Sequence, residues 1–142
     1  MGLSQDQIVS AALQLLERDG LDGVSFRKIA AELEVSAPTL YWHVDSKRRL
    51  LDLMAARLMA ETERLRPAEP GQEESWWEWL EHRTRAMYET LIRHRDAPLV
   101  AAGNRPTVSA LPAIEVSLAT LIDAGFEPGD AIETILTLGA FA

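Results

Sequence analysis

Apolar residues recur at three- and four-residue spacing along almost the whole chain, and nowhere does an alternating strand pattern persist. A chain patterned this way buries its hydrophobic side chains by packing helix on helix, so the expected fold is all-α. Ser4 and Gln7 make a capping-box pair ahead of Ile8, Ala11, Ala12 and Leu15, and Asp19-Gly20 ends that helix. Ser25 opens a short second helix with Phe26, Ile29, Ala30 and Leu33 on one face. A break at Glu34-Val35-Ser36 precedes a third short helix, which Ser36 is placed to cap, and Asp45-Ser46 caps a fourth reaching about residue 65. RPAEPGQEE, residues 66–74, reads as a linker or loop. A long helix is expected at about 75–94. Pro98, Gly103-Asn104 and Pro106 break up an irregular region, and two more helices are expected at about 109–124 and 128–141. The chain closes on TILTLGAFA, an apolar helical pattern with no stop signal, which reads as a truncation.

Charge narrows where a partner can bind. The net charge is −8, yet the first fifty residues hold six basic against seven acidic side chains and the remainder eight against fifteen. So acidic a chain does not adhere to polyanions at large, and any nucleic-acid contact falls in the first fifty residues. The absence of cysteine rules out a disulfide scaffold and thiolate metal sites and fits a reducing cytoplasm. No apolar run is long enough to span a membrane and the N-terminus has no signal-peptide pattern, so a cytoplasmic location without membrane contact is expected.

The run SAPTLYWHVDSKRRLLD, residues 36–52, is the most informative. On a helical wheel Leu40 and Val44 fall together with Ala37 beside them, while Trp42 points almost directly away. Pro38, Thr39 and Tyr41 flank Trp42, with His43 to one side. One buried stripe cannot absorb all of these. Two short helices joined by a tight break form a helix-turn-helix, whose second helix enters the DNA major groove. Pro38 and Tyr41 can press on thymine methyls, and Thr39, Tyr41, Trp42 and His43 can donate to phosphate oxygens. Lys47 sits in the first turn of the next helix, where phosphate is attracted, and Arg27 can reach a guanine edge.

The segment VSFRKIAAELEVSAPTLYWHVDSKRRLLD resembles the DNA-binding domain of the TetR family of transcriptional repressors, nearest its tetracycline-repressor subgroup in the TLYWHV run and the lysine after it. The likeness continues more weakly through SWWEWLEHRTRAM, LIRHRD, GNRPT and Gly125-Phe126. It implies a three-helix DNA-binding domain over 1–47 and a helical ligand-binding and dimerisation domain over 48–142, incomplete at its C-terminus. It also implies a homodimer on double-stranded operator DNA that a small-molecule effector releases, with the fourth helix as lever. The implied DNA contacts are Arg27, Ala37, Pro38, Thr39, Tyr41, Trp42, His43 and Lys47. The subgroup has Gln where this chain has Ala37, so a different operator is expected. Phe26 replaces a hydroxyl residue that would touch phosphate.

Farther along, Trp76, Leu80, Arg83, Met87, Leu91 and His94 share a helix face by spacing. A charge inside an apolar stripe either pairs with a neighbouring glutamate or lines a cavity and meets a polar ligand group, with Trp76 and Met87 as walls. The resemblance implies that Glu63, Arg83, Met87, Ala101, Asn104, Arg105 and Pro106 occupy ligand-contact positions. The subgroup's metal-ligating histidine corresponds to Ala101, so magnesium-tetracycline is a poor guess and a flat or partly anionic hydrophobic effector is expected. No metal site, cofactor or catalytic constellation is read from the sequence. Two rival readings remain: a ligand-binding protein with a vestigial helix-turn-helix, and a small helical enzyme using Glu78, His82 or His94.

Overall fold

The computed structural model describes residues 2–141, with side chains through residue 138. Eight α-helices follow in order: α1 Gln5–Asp19, α2 Phe26–Glu32, α3 Ala37–Tyr41, α4 Lys47–Leu65, α5 Trp76–Arg93, α6 Ala97–Ala101, α7 Leu111–Asp123 and α8 Pro128–Phe141. Short 3-10 turns occupy Leu21–Gly23 and Val108–Ala110, and no strand is found among the described residues. The chain is all-α, as its periodicity requires. Two compact units divide it: Met1–Arg57 with His94–Arg105, and Leu58–Arg93 with Pro106–Ala142. The boundary expected after residue 47 thus coincides with the start of α4, whereas the division by compactness falls inside that helix.

In the first unit the local signals act largely as their chemistry dictates. Ser4 Oγ accepts from Gln7 N–H at 3.2 Å and Ser4 N–H donates to the Gln7 side chain at 2.8 Å, closing the capping box of α1. Ser25 Oγ accepts from Lys28 N–H at 3.3 Å at the head of α2. The helix stops where Glu34 adopts φ 52°, and Val35 N–H donates to Ala30 O at 3.0 Å. Ser46 caps α4 by accepting from Arg49 N–H at 3.1 Å. Ile8, Leu16, Ile29, Leu40, Val44, Leu50 and Met54 are fully or almost fully buried.

Ser36 departs from expectation. Its side chain makes no cap; its hydroxyl instead meets the Thr39 hydroxyl at 2.7 Å. Pro38 in the first turn of α3 lacks one of the amides that a cap would satisfy.

The region expected to be irregular contains α6. Pro98 lies in its first turn, where a missing N–H costs nothing, so this proline opens a helix rather than breaking one. Polar bonds hold residues 94–105 within the first unit. Glu17 pairs with His94 Nδ1 at 2.7 Å and accepts from Arg95 N–H at 3.3 Å. Asp96 Oδ2 accepts from Leu21 N–H at 2.9 Å, and the buried Asp52 accepts from Arg105 N–H at 3.0 Å.

The core of the second unit gathers around fully buried Trp79, Leu121 and Ala131, with Leu80, Leu118, Phe126 and Ile135 packed against them. The buried positions of α5 are Trp79, Ala86, Thr90 and Leu91, so its inner face is turned away from the one counted from Trp76, which is 37% exposed. His94 lies beyond the end of α5. Residues 66–74, expected as a linker or loop, are tied down. Ala68 O accepts from Trp79 Nε1 at 2.9 Å. Glu74 accepts from Gly71 N–H at 2.9 Å, pairs with His82 Nδ1 at 2.7 Å and holds Arg66.

These contacts hold the Glu74 carboxyl below its ordinary value, the Gly71 amide contributing most, then His82 and Arg66, with partial burial opposing. A carboxylate depressed in the folded state stabilises it above the ordinary range, about 4.3, and loses that contribution as pH falls through the depressed value. Glu74→Gln is therefore expected to lower the melting temperature at neutral pH and to flatten its decline below about pH 4.3. Thermal melts at stepped pH check this; parallel acid declines in the two proteins would refute it.

Candidate DNA-binding surface and effector site

The five residues of α3 and the turn after it divide cleanly by exposure. Leu40 and Val44 are buried at 0% and 1%, whereas Tyr41 is 51% and Trp42 88% exposed. Pro38 and His43 are exposed; Ala37 and Thr39 are half-buried. Arg27 is exposed on α2, and its guanidinium has no hydrogen bond or ion pair among the described residues. The other α2 cation, Lys28, is engaged by Asp19 at 3.0 Å. All eight expected DNA-contact residues lie in the first unit, on α2, α3, the turn after it and the first residue of α4.

Three of them are constrained in ways the sequence did not reveal. The Tyr41 ring stacks on Phe26, centroids 4.6 Å apart at 20°. The Thr39 hydroxyl lies 2.7 Å from that of Ser36, and either can be the donor. Lys47 Nζ donates to Val24 O, and burial pushes its ammonium below the ordinary value while Asp22 works the other way. Lys47 is therefore partly committed inside its own unit. The side chain of Arg49, two residues on, is exposed and unpaired among the described residues.

The expected effector residues divide between the units: Glu63, Trp76, Arg83, Met87 and Pro106 belong to the second, Ala101, Asn104 and Arg105 to the first. Within the second unit, Arg83 is paired. Its two terminal nitrogens donate to Glu63 at 2.7 and 3.3 Å, one also donates to Arg66 O at 3.2 Å, and its Cζ lies 5.7 Å from the Trp79 ring centroid. The charge inside the apolar stripe is thus matched by a glutamate that is itself an expected contact. Met87 is half-buried, and Trp76 meets Phe126 edge-on at 5.0 Å. Two open grooves occur in this unit. One, of about 560 Å³, is lined by Trp76, Trp77, Leu80, Thr84 and Tyr88 among others. The second, of about 510 Å³, runs past Glu69, Trp76, Val116 and Thr120. Trp76 lines both, whereas Glu63, Arg83 and Met87 line neither.

Glu78, His82 and His94 each have a polar partner of their own. Glu78 accepts from Ser75 N–H at 3.1 Å at the head of α5, and its carboxyl is held below its ordinary value by the Ser75 hydroxyl and amide. His82 and His94 pair with Glu74 and Glu17, in different units. Among the described residues no group of three or more histidines and carboxylates could hold a metal, and no helix is long and apolar enough to cross a membrane.

Residues 8–54 match the family described as bacterial regulatory proteins, tetR family, and residues 67–142 match the tetracyclin repressor-like C-terminal domain. The class A tetracycline repressor protein of transposon 1721 from Escherichia coli is 34% identical over 139 residues, covering 98% of this chain and 63% of its own length. The chain thus spans somewhat under two thirds of that relative. A solved class A TetR in complex with 5a,6-anhydrotetracycline and magnesium has a TM-score of 0.80 at 32% identity, covering 98% of this chain and 77% of the other. ActR of Streptomyces coelicolor in complex with actinorhodin has a TM-score of 0.86 at 28% identity, covering 98% and 64%. The first of these relatives is named as a repressor protein and the last as a TetR family protein. With both of its parts matched, the chain belongs to the TetR family of bacterial regulatory proteins.

Proposed function

We propose that this chain comprises the DNA-reading and effector-sensing parts of a ligand-responsive transcriptional repressor that binds a near-palindromic operator as a homodimer. The observation that carries this reading is Trp42, 88% exposed on a turn whose neighbours Leu40 and Val44 are buried. With Tyr41 51% exposed next to it in the chain and Pro38 exposed on the same short helix, Trp42 belongs to an apolar patch of the kind that marks an interaction site. Arg27, Pro38, Tyr41, Trp42 and His43 supply the forward contacts, and Ala37 offers an apolar contact. Thr39 and Lys47 contribute after exchanging Ser36 and Val24 for phosphate oxygens. Two such helices reach successive major grooves when they stand about 34–36 Å apart.

The effector is a flat or partly anionic hydrophobic molecule other than magnesium-tetracycline, since Ala101 brings no side-chain donor atom to the position of the subgroup's metal-ligating histidine. Relatives solved with 5a,6-anhydrotetracycline and magnesium and with actinorhodin support a small-molecule effector. To reverse operator occupancy from 99:1 to 1:99 it must favour the released form by about 5.5 kcal/mol.

Fluorescence anisotropy against labelled promoter DNA tests the reading. Affinity is expected to fall steeply with salt, with a slope of about −0.9 for each phosphate neutralised. A slope near zero, with no preference for any sequence recovered from a random DNA pool, would overturn it.

A further inference from the structure

Phe26 has no part in the contacts proposed above, and its aromatic ring can offer phosphate no hydrogen bond. It is 9% exposed, so most of its surface packs within the first unit, yet its ring lies 4.6 Å from that of Tyr41 at 20° between planes. Tyr41 is the last residue of α3 and remains 51% exposed in spite of that stack. Phe26 is itself held: it is the first residue of α2, whose start is fixed by Ser25 accepting from Lys28 N–H at 3.3 Å.

The geometry points to Phe26 as a positioning residue for DNA recognition, holding the Tyr41 ring in the orientation that meets the operator. This inference rests on the DNA-binding reading and adds to it a residue whose own side chain stays off the DNA. An unsupported tyrosine at a helix end samples several rotamers and must be immobilised when it binds. An offset stack against a buried ring imposes that order in advance, while leaving one face and the hydroxyl of Tyr41 available. The stack also joins α2 to α3, so the tyrosine is aligned with the helix that carries Arg27.

A double-mutant cycle tests it. Operator affinity is measured for the natural chain, Phe26→Leu, Tyr41→Ala and the double variant, with thermal melts to confirm folding. Phe26→Leu is expected to weaken binding by roughly three- to tenfold, the range that aromatic pairs and side-chain ordering carry. In the Tyr41→Ala background the same substitution is expected to change nothing further. Phe26→Tyr, which keeps a stackable ring, is expected to bind as the natural chain does. Should Phe26→Leu fail to fold, Phe26→Met takes its place in the cycle. Affinity unchanged in Phe26→Leu would overturn the inference, and so would a penalty that persists undiminished without Tyr41, because Phe26 would then act through the fold. Those failures leave DNA binding standing. Failure of the natural chain to bind any DNA would instead remove the reading beneath it.

Discussion

Trp79→Ala is expected to destabilise the protein by about 3–5 kcal/mol, the cost of emptying a large aromatic site that cannot fully collapse. Trp79 is fully buried at the centre of the cluster that includes Leu121 and Ala131. The loss has three parts. Apolar surface returns to water, a cavity opens among Leu80, Leu118, Phe126 and Ile135, and Ala68 O loses the indole N–H that satisfies it at 2.9 Å. Arg83 also loses the ring over which its guanidinium lies. Trp79→Phe separates these parts, since it keeps most of the volume but strands the Ala68 carbonyl; an intermediate loss of about 1–3 kcal/mol is expected. Stability of a domain this size is about 5–15 kcal/mol, so the alanine variant should show a large drop in denaturation midpoint. A midpoint shift close to zero would show that Trp79 does not organise the core.

The opposite signature is expected of Trp42→Ala. At 88% exposure the side chain contributes little to folding, and stability should change by less than about 0.5 kcal/mol. Operator affinity should nevertheless fall roughly tenfold to a hundredfold, the range for losing one well-placed aromatic or polar nucleic-acid contact. Circular-dichroism melts paired with anisotropy titrations separate the two effects. Unchanged affinity at an unchanged melting temperature would remove Trp42 from the DNA contacts.

Elements whose signals are local were legible in the sequence. The Ser4–Gln7 box, the Ser25 cap and the break at Glu34 involve neighbouring residues, and the structure shows each of them. The exposure of Trp42 followed from the placement of Leu40 and Val44, because a helix so short has one inner side. What was missed depends on residues far apart in sequence. α6 was hidden by Pro98, whose meaning as starter or breaker depends on Asp96 and the packing of Ala97 and Val100. The inner face of α5 could not be chosen among Trp76, Trp77 and Trp79 until Leu121 and Ala131 were present. The pairing of Lys47 with Val24 and the stack of Tyr41 on Phe26 bridge 23 and 15 positions, a distance that no helical period encodes. Arg83 carried both of its meanings in the sequence, and Glu63 stands beside it in the structure.

Because residues 94–105 return to the first unit, that unit is assembled from two pieces of chain. Exchanging the helix-turn-helix unit between two members of the family therefore requires two seams. A graft of residues 1–57 alone would leave the α6 segment to the recipient, so the Leu21 amide and the Glu17 carboxylate would have to find substitutes for the Asp96 and His94 side chains. The workable cassette is a sandwich of separated sequences, and its second slice lies between two stretches of the second unit.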